Sequence, residues 1–96
     1  MTIRVEIIAN YSVQEDLLEL LDKHNVGQFR TLIPQVQGKG SSGPRRGDHI
    51  WPEENFIMII FCERSEAKVI RKAVDELKEY FPDEGIKMFA TCVEKV

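Results

Sequence analysis

The sequence predicts an α+β fold of ferredoxin-like type with the element order βαββαβ, and three observations support it. Four segments have the alternation or the continuous apolar character of strands, and two segments between them have the spacing of amphipathic helices. With right-handed crossovers, the third strand lies between the first and the second, which gives an antiparallel four-stranded sheet in the order 4-1-3-2 with two helices on one face. The second strand is then an edge strand. Pro34 within that strand independently requires an edge, because proline cannot donate to a sheet ladder.

The first half of the chain supplies strand, helix and strand. Residues 2–9 alternate between apolar and polar side chains, which is typical of a strand. Ser12 opens the first helix and forms a predicted capping box with Glu15. The turn after this helix ends at Gly27, and residues 28–37 form the second strand. The apolar residues at helical spacing are Val13, Leu17, Leu20 and Leu21, followed by His24.

The second half begins with a long loop. Residues 38–54 have no periodicity and are rich in glycine, and loops of that length are usually functional or disordered. The continuous apolar run at 55–62 predicts a central strand, 65–80 a second helix, and 86–94 the last strand. We therefore expect one domain over residues 1–96, with a long loop at 38–54.

Composition excludes some function classes. The chain of 96 residues has a formal net charge of −3 and a pI near 5.4, which argues against non-specific nucleic-acid binding. No apolar run reaches the length of a membrane span, about 18 residues or more, and the first ten residues do not resemble a secretion signal. Two cysteines without a CxxC pair indicate a cytoplasmic protein with reduced thiols.

The sheet has more apolar surface than two helices can cover. The third strand is apolar on both faces, with Phe56, Met58, Ile60 and Cys62 on one and Ile57, Ile59 and Phe61 on the other. The last strand repeats this, with Met88, Ala90 and Cys92 against Phe89 and Val93. Leaving such side chains in water forfeits about 1.5–3 kcal/mol each. We expect a homo-oligomer built on the open sheet face, the alternative being a covering by the loop or by a partner protein.

The loop carries the best candidate for a binding function. Between Gly38 and Asp48 it holds three basic residues, Lys39, Arg45 and Arg46, and one acid, for a net charge of +2 against −5 for the rest of the chain. Glycines allow close backbone approach, and successive amide groups with arginines suit phosphate or carboxylate. The loop is predicted to bind an anion or a partner, the alternative being a flexible linker.

Other reactive side chains give weaker signals. His24 is expected to end its helix, where the dipole favours a cation, and neither it nor His49 has a close second metal ligand. Trp51 is expected to anchor the loop base. Cys62 and Cys92, on strands that flank the first, should be about 10 Å apart, too far for a disulfide, and both are expected to be buried. We find no catalytic motif, so no enzymatic activity and no metal site is expected.

Several segments together give a family resemblance. Ile7-Ile8-Ala9-Asn10 and Gln14-Glu15-Asp16-Leu17 look like a first strand and acidic helix start, and Gln35-Val36-Gln37-Gly38-Lys39-Gly40 looks like a V-K-G-x-G segment that opens a long loop. Residues 63–74 and Lys87-Met88-Phe89 look like the second helix and a G-K-I-F segment of the same family. The chain resembles the P-II-type signalling proteins almost end to end, and more distantly the CutA-type proteins.

The P-II resemblance implies a homotrimer whose sheets face inward, with adenine nucleotides bound in clefts between subunits and a T-loop that contacts a regulated transporter or enzyme. By position, the ligand-binding residues would be Gly38, Lys39, Gly40, Arg45, Arg46 and Lys87. The partner-binding loop would include Ser41, Ser42, Asp48, His49 and Trp51.

The chain also departs from that family. A glycine-rich phosphate loop before the last strand is shortened to residues 83–87, Ser42 stands where the family has a metal-holding glutamine, and no tyrosine lies in the loop. The alternative is a CutA-like divalent-metal-binding protein, suggested by Ile33-Pro34 with Val36 and by Trp51 before Glu53. Tight copper or zinc binding by His49 and a cysteine would favour that alternative.

Overall fold

The computed structural model describes residues 1–38 and 53–96. A four-stranded antiparallel sheet has the strand order β2-β3-β1-β4, which is the predicted 4-1-3-2 order viewed from the other edge. The predicted fold is therefore confirmed. Its elements are β1 (Thr2–Asn10), a 3₁₀ turn (Tyr11–Val13), α1 (Gln14–Lys23), β2 (Arg30–Gly38), β3 (Glu53–Glu63), α2 (Arg64–Tyr80) and β4 (Ile86–Val93).

The core lies between the sheet and the two helices. On the central strand β1 every second residue from Ile3 to Ala9 is buried, because side chains alternate across a sheet and the helices cover one face only. The helices complete the core with residues at helical spacing: Leu17, Leu20 and Leu21 from α1, and Ile70, Ala73, Val74 and Leu77 from α2. Among the described residues, no helix is both long and apolar enough to cross a membrane.

The edge strand β2 contains a bulge at its proline. Ile33 pairs with Ile57, but the next register pair is Val36 with Asn55, so β2 uses one more residue than β3 over this stretch. The extra residue accommodates Pro34, which has no N–H to give to the ladder. The edge position predicted from Pro34 is confirmed.

The predicted capping box at Ser12 is wrong. The Oδ1 atom of Asn10 accepts a hydrogen bond from the Ser12 amide at 2.9 Å, and α1 begins only at Gln14, with no side-chain cap from Val13. The chain leaves β1 through a 3₁₀ turn, so the capping role moves back to Asn10, whose backbone is still extended.

The turn that leads into β2 requires glycine. Gly27 has φ +68°, and a Cβ atom there would lie 3.2 Å from Ile60 Cδ1 and 3.3 Å from Leu21 Cδ1. Its amide donates a hydrogen bond of 2.9 Å to Oε2 of Glu66 in the first turn of α2. This bond joins the turn before β2 to the second helix.

Both strands that flank the loop extend further into it than predicted. Gln37 pairs with Glu54 and Gly38 with Glu53, so the ladder takes up both ends of the predicted loop 38–54. The predictions for the remaining loop residues fall on positions outside the described ranges, namely Lys39, Gly40, Ser41, Ser42, Arg45, Arg46, Asp48, His49 and Trp51.

Candidate functional site

The base of the loop and the start of β4 lie at the same end of the sheet. At this end β1 and β2 finish, at Asn10 and Gly38, and β3 and β4 begin, at Glu53 and Ile86. The Asn10 amide donates to the Gly85 carbonyl oxygen at 3.0 Å, which fixes the turn before β4 against β1. Predicted site residues from both halves of the chain therefore share one end of the molecule.

Gly38 is held closely against its neighbour on β3. A Cβ atom at Gly38 would come within 2.6 Å of Asn55 Nδ2, so any larger residue would displace the Asn55 side chain. Beside it, Gln35 Nε2 donates to Glu54 Oε1 at 3.3 Å across the two strands. These contacts fix the point at which the chain leaves the sheet for the loop.

Lys87 lies on the opposite edge of the sheet from Gly38. It pairs with Ile8, and the row across the open face runs Ile33, Ile57, Ile8, Lys87. Lys87 is separated from Gly38 by three strand spacings across the sheet and by four residues along the strands. The distance between the two residues is therefore about 20 Å. Within one subunit, a small ligand that contacts Lys87 therefore cannot also contact the base of the loop.

The sheet face opposite the helices is apolar and open. Phe61 and Phe89 are 53% and 55% exposed, and Ile33 is 39% exposed. The row next to Ile57 runs Thr31, Ile59, Glu6, Phe89. Charged side chains also lie in this surface. Lys87 is one, and Arg4 and Glu6 form a pair, with Arg4 Nη2 3.7 Å from Glu6 Oε2 and the Arg4 guanidinium 5.9 Å from the centre of the Phe61 ring. The second apolar face predicted from the sequence is present.

The two cysteines differ in environment. Both pair with Ile3, one on each side of β1, which is the two-strand separation expected from the sequence, and both are free thiols. Cys62 is buried, but Cys92 is exposed, so its predicted burial is wrong. Cys92 lies on the edge strand β4, beyond the cover of α2, with Arg64 Nη2 3.7 Å from its Sγ.

This difference predicts selective alkylation. Burial raises the pKa of the Cys62 thiol, and the nearby carboxylates of Glu66 and Glu63 raise it further, so little thiolate is present at pH 8. Iodoacetamide at that pH should modify Cys92 at least about tenfold faster than Cys62, as peptide mass mapping would measure. The two rates should converge in denaturant, and equal rates in the folded protein would contradict the assignment.

His24 lies at the C-terminal end of α1, as predicted from the sequence. Its Nε2 atom lies 3.9 Å from Oε1 of Glu76. Within residues 1–38 and 53–96, no three histidine, cysteine or acidic side chains are close enough to hold a metal ion. His49 lies outside these ranges, so the CutA-like alternative stays a prediction.

A groove between the helices was missed by the sequence reasoning. It has a volume of about 530 Å³, and its lining residues are Asp16, Glu19, Leu20 and Lys23 from α1, and Leu77, Tyr80 and Phe81 at the end of α2. The available signal was the aromatic pair Tyr80-Phe81 before Pro82, at a position where a helix is ending and its side chains leave the core.

No protein-family model and no curated protein matches the sequence. Solved structures do match. CPII from Thiomonas intermedia K12, bound to ADP and bicarbonate, is 21% identical, with a TM-score of 0.69 over 94% of this chain and 83% of that chain. A putative PII-like signalling protein from Thermus thermophilus is 22% identical, with a TM-score of 0.64 over 94% and 84%. The fold is that of the PII-like proteins.

The chain also matches a DUF3240 family protein from Shewanella baltica OS155, at 10% identity, with a TM-score of 0.73 over 99% of this chain and 92% of that chain. At such identities the likeness establishes the shared architecture. In this PII-like fold, the loop at 38–54 joins the edge strand β2 to the inner strand β3, and Lys87 lies on the far edge strand.

Proposed function

We propose that this chain is a divergent PII-like regulatory protein of the nitrogen-regulation type. It acts without catalysis, as a cytoplasmic homotrimer that binds a small anionic ligand, such as an adenine nucleotide, in clefts between subunits. Residues 38–54 contact a regulated transporter or enzyme. The observation that carries the proposal is that Gly38 and Lys87 lie at one end of the sheet but on opposite edges.

The open sheet face supports assembly through identical surfaces. Phe61 is 53% exposed, and burying that part of its surface in an oligomer contributes about 1 kcal/mol. Ile57 and Ile59 are already partly covered within one subunit, so each of them contributes less. The Arg4–Glu6 pair adds polarity to this surface, so that only a partner that satisfies both charges fits well. A second copy of the same face is the simplest such partner.

Assembly of this kind would complete the ligand site. In one subunit the edge that carries Lys87 lies too far from the edge that carries the loop for one ligand to reach both. When subunits associate around a common axis, the β4 edge of one can lie beside the β2 edge of the next. Lys87 would then lie opposite the base of its neighbour's loop and add its charge to those of Lys39, Arg45 and Arg46.

A positively charged cleft selects an anion. CPII, which has this fold, is found with ADP and bicarbonate, both of which are anions. The short turn at residues 83–85 leaves open space around Gly85, where a Cβ atom would meet nothing within 4 Å. The ligand would act by binding one arrangement of the loop more tightly than another, because only such a difference in affinity shifts an equilibrium.

Calorimetry with ADP and bicarbonate, separately and together, tests the proposal. We expect ADP to bind, and either Lys87→Ala or the double change Arg45→Ala with Arg46→Ala to weaken binding about tenfold or more, because a hydrogen bond to a charged group contributes about 1.5–3 kcal/mol. Lys95→Ala is the matched control, since it removes the same charge from an exposed residue after β4. Circular dichroism should show that each variant keeps the fold.

Two results would contradict the proposal. One is unchanged affinity in both the Lys87 and the arginine variants, and the other is a loss in Lys95→Ala as large as theirs. If neither ADP nor bicarbonate binds, a thermal-shift comparison with 2-oxoglutarate and other small anions follows. A ligand at a hundredfold excess over its Kd stabilises the folded state by about 2.7 kcal/mol, which such a comparison detects.

A further inference from the structure

We propose that the groove between α1 and α2 binds a basic amphipathic helix of a partner protein. The groove lies on the helical side of the sheet, away from the open face and the predicted ligand clefts. It therefore stays accessible in an oligomer built on the open face, and its function goes beyond the proposed one.

The shape of the groove suits a third helix. β1 and β3 are antiparallel, and each helix runs back along the strand that precedes it, so α1 and α2 are antiparallel neighbours. Leu20 and Leu77 border the groove but are themselves buried, and the aromatic residues Tyr80 and Phe81 line it beside them. A furrow between two helices accepts apolar side chains at helical spacing from a helix laid over it. The volume of about 530 Å³ lies in the range of established binding pockets.

The charges around the groove determine which sign of charge the partner must carry. Among the residues that the structure describes, Lys23 is the only basic one in the lining, and its Nζ lies 3.4 Å from Glu76 Oε2, so that its charge is balanced locally. Asp16 and Glu19 are three residues apart on one face of α1, and neither has a cationic partner within 4 Å in the described part of the chain. The rim is therefore net negative.

The aromatic lining of the groove adds a second preference for cations. Tyr80 is 67% exposed although it borders an apolar groove. A lysine or arginine next to its ring would gain a cation–π contact, and the apolar stem of that side chain would pack along the exposed ring. The carboxylates and the aromatic lining together fit a helix whose apolar side chains are flanked by basic ones.

The experiment uses the full chain and two synthetic amphipathic helices of about 14 residues, which share a leucine face and carry either lysines or glutamates beside it. We expect the lysine helix to bind and to shift the NMR signals of Leu20, Leu77 and Tyr80. Asp16→Lys with Glu19→Lys should weaken its binding about tenfold and should let the glutamate helix bind instead. The matched control is Glu15→Lys with Glu94→Lys, which changes the net charge equally at exposed positions outside the groove.

Several results would overturn the proposal. These are no binding of the lysine helix, an equal loss in the control variant, or shifts that cluster away from the groove. Displacement of the helix by spermine at lower concentration would assign the groove to a small cation. Movement of the groove signals on Arg45→Glu with Arg46→Glu, without any added helix, would assign it to the chain's own loop. None of these experiments uses an anionic ligand. A negative result for the groove can therefore be distinguished from a negative result for the proposed anion binding.

Discussion

Replacing Ile57 by aspartate should convert the proposed homotrimer into folded monomers. Ile57 lies between Ile8 and Ile33 in the middle of the open face, and its side chain makes no contribution to the core beneath the helices. Ile57 is already partly covered within one subunit, so the change removes about 0.5 kcal/mol of apolar burial per subunit, or about 1.5 kcal/mol in a trimer, which corresponds to about tenfold in the association constant. Desolvation of the new carboxylates adds to this cost. Analytical ultracentrifugation at micromolar concentration measures the result.

Ser65→Asp is the control for this experiment. It adds the same charge at an exposed position at the start of α2, on the other side of the sheet, and should leave the oligomer intact. Circular dichroism distinguishes a folded monomer from an unfolded chain. A wild-type protein that is already monomeric at this concentration, or an Ile57→Asp variant that remains an oligomer, would contradict an assembly through the open face.

Replacing Gly27 by alanine should lower the melting temperature by about 8–16 °C. At φ +68° an alanine pays about 1–2 kcal/mol for a left-handed backbone conformation, and its Cβ atom would press on Ile60 and Leu21. A total loss of about 2 kcal/mol converts to this range for a domain of this size. Differential scanning calorimetry at a fixed protein concentration measures it.

Gly85→Ala is the matched control, because it makes the same chemical change at a glycine whose backbone is not left-handed. Gly85 is outside the positive-φ region, and a Cβ atom there meets no other atom within 4 Å. Its melting temperature should change little, by the equivalent of about 0.5 kcal/mol or less. If both variants melt alike, the left-handed turn at Gly27 is not the source of the effect.

The fold could be predicted because several local signals had one common solution. Pro34 required an edge strand and the topology placed β2 at an edge, while the apolar run at 55–62 required a strand with two covered faces. Neither signal depends on detailed packing. The spacing of apolar residues and the missing N–H of proline are properties of the sequence itself, so they act in the same way in the folded structure.

The predictions that failed concern features that depend on how the elements pack in the folded chain. Asn10 and Ser12 are both good capping residues, and the backbone direction at the end of β1 decides between them. Cys92 lies on the same face of β4 as Met88, which packs against the core, but how far α2 covers an edge strand depends on where the helix lies. The groove between α1 and α2 depends on the separation of the two helices, which helical periodicity does not encode.

The bulge at Pro34 also limits how the protein can polymerise. A fibre formed by adding strand to strand needs both outer edges of the sheet to present a regular row of free N–H and C=O groups. On β2 the proline removes a donor and the bulge shifts the row, whereas the eight residues of β4 are free of proline and of register shifts. Of the two edges of the described sheet, β4 is then the one that can template another strand. Edge pairing between copies would stop after two, and an endless cross-β stack is disfavoured.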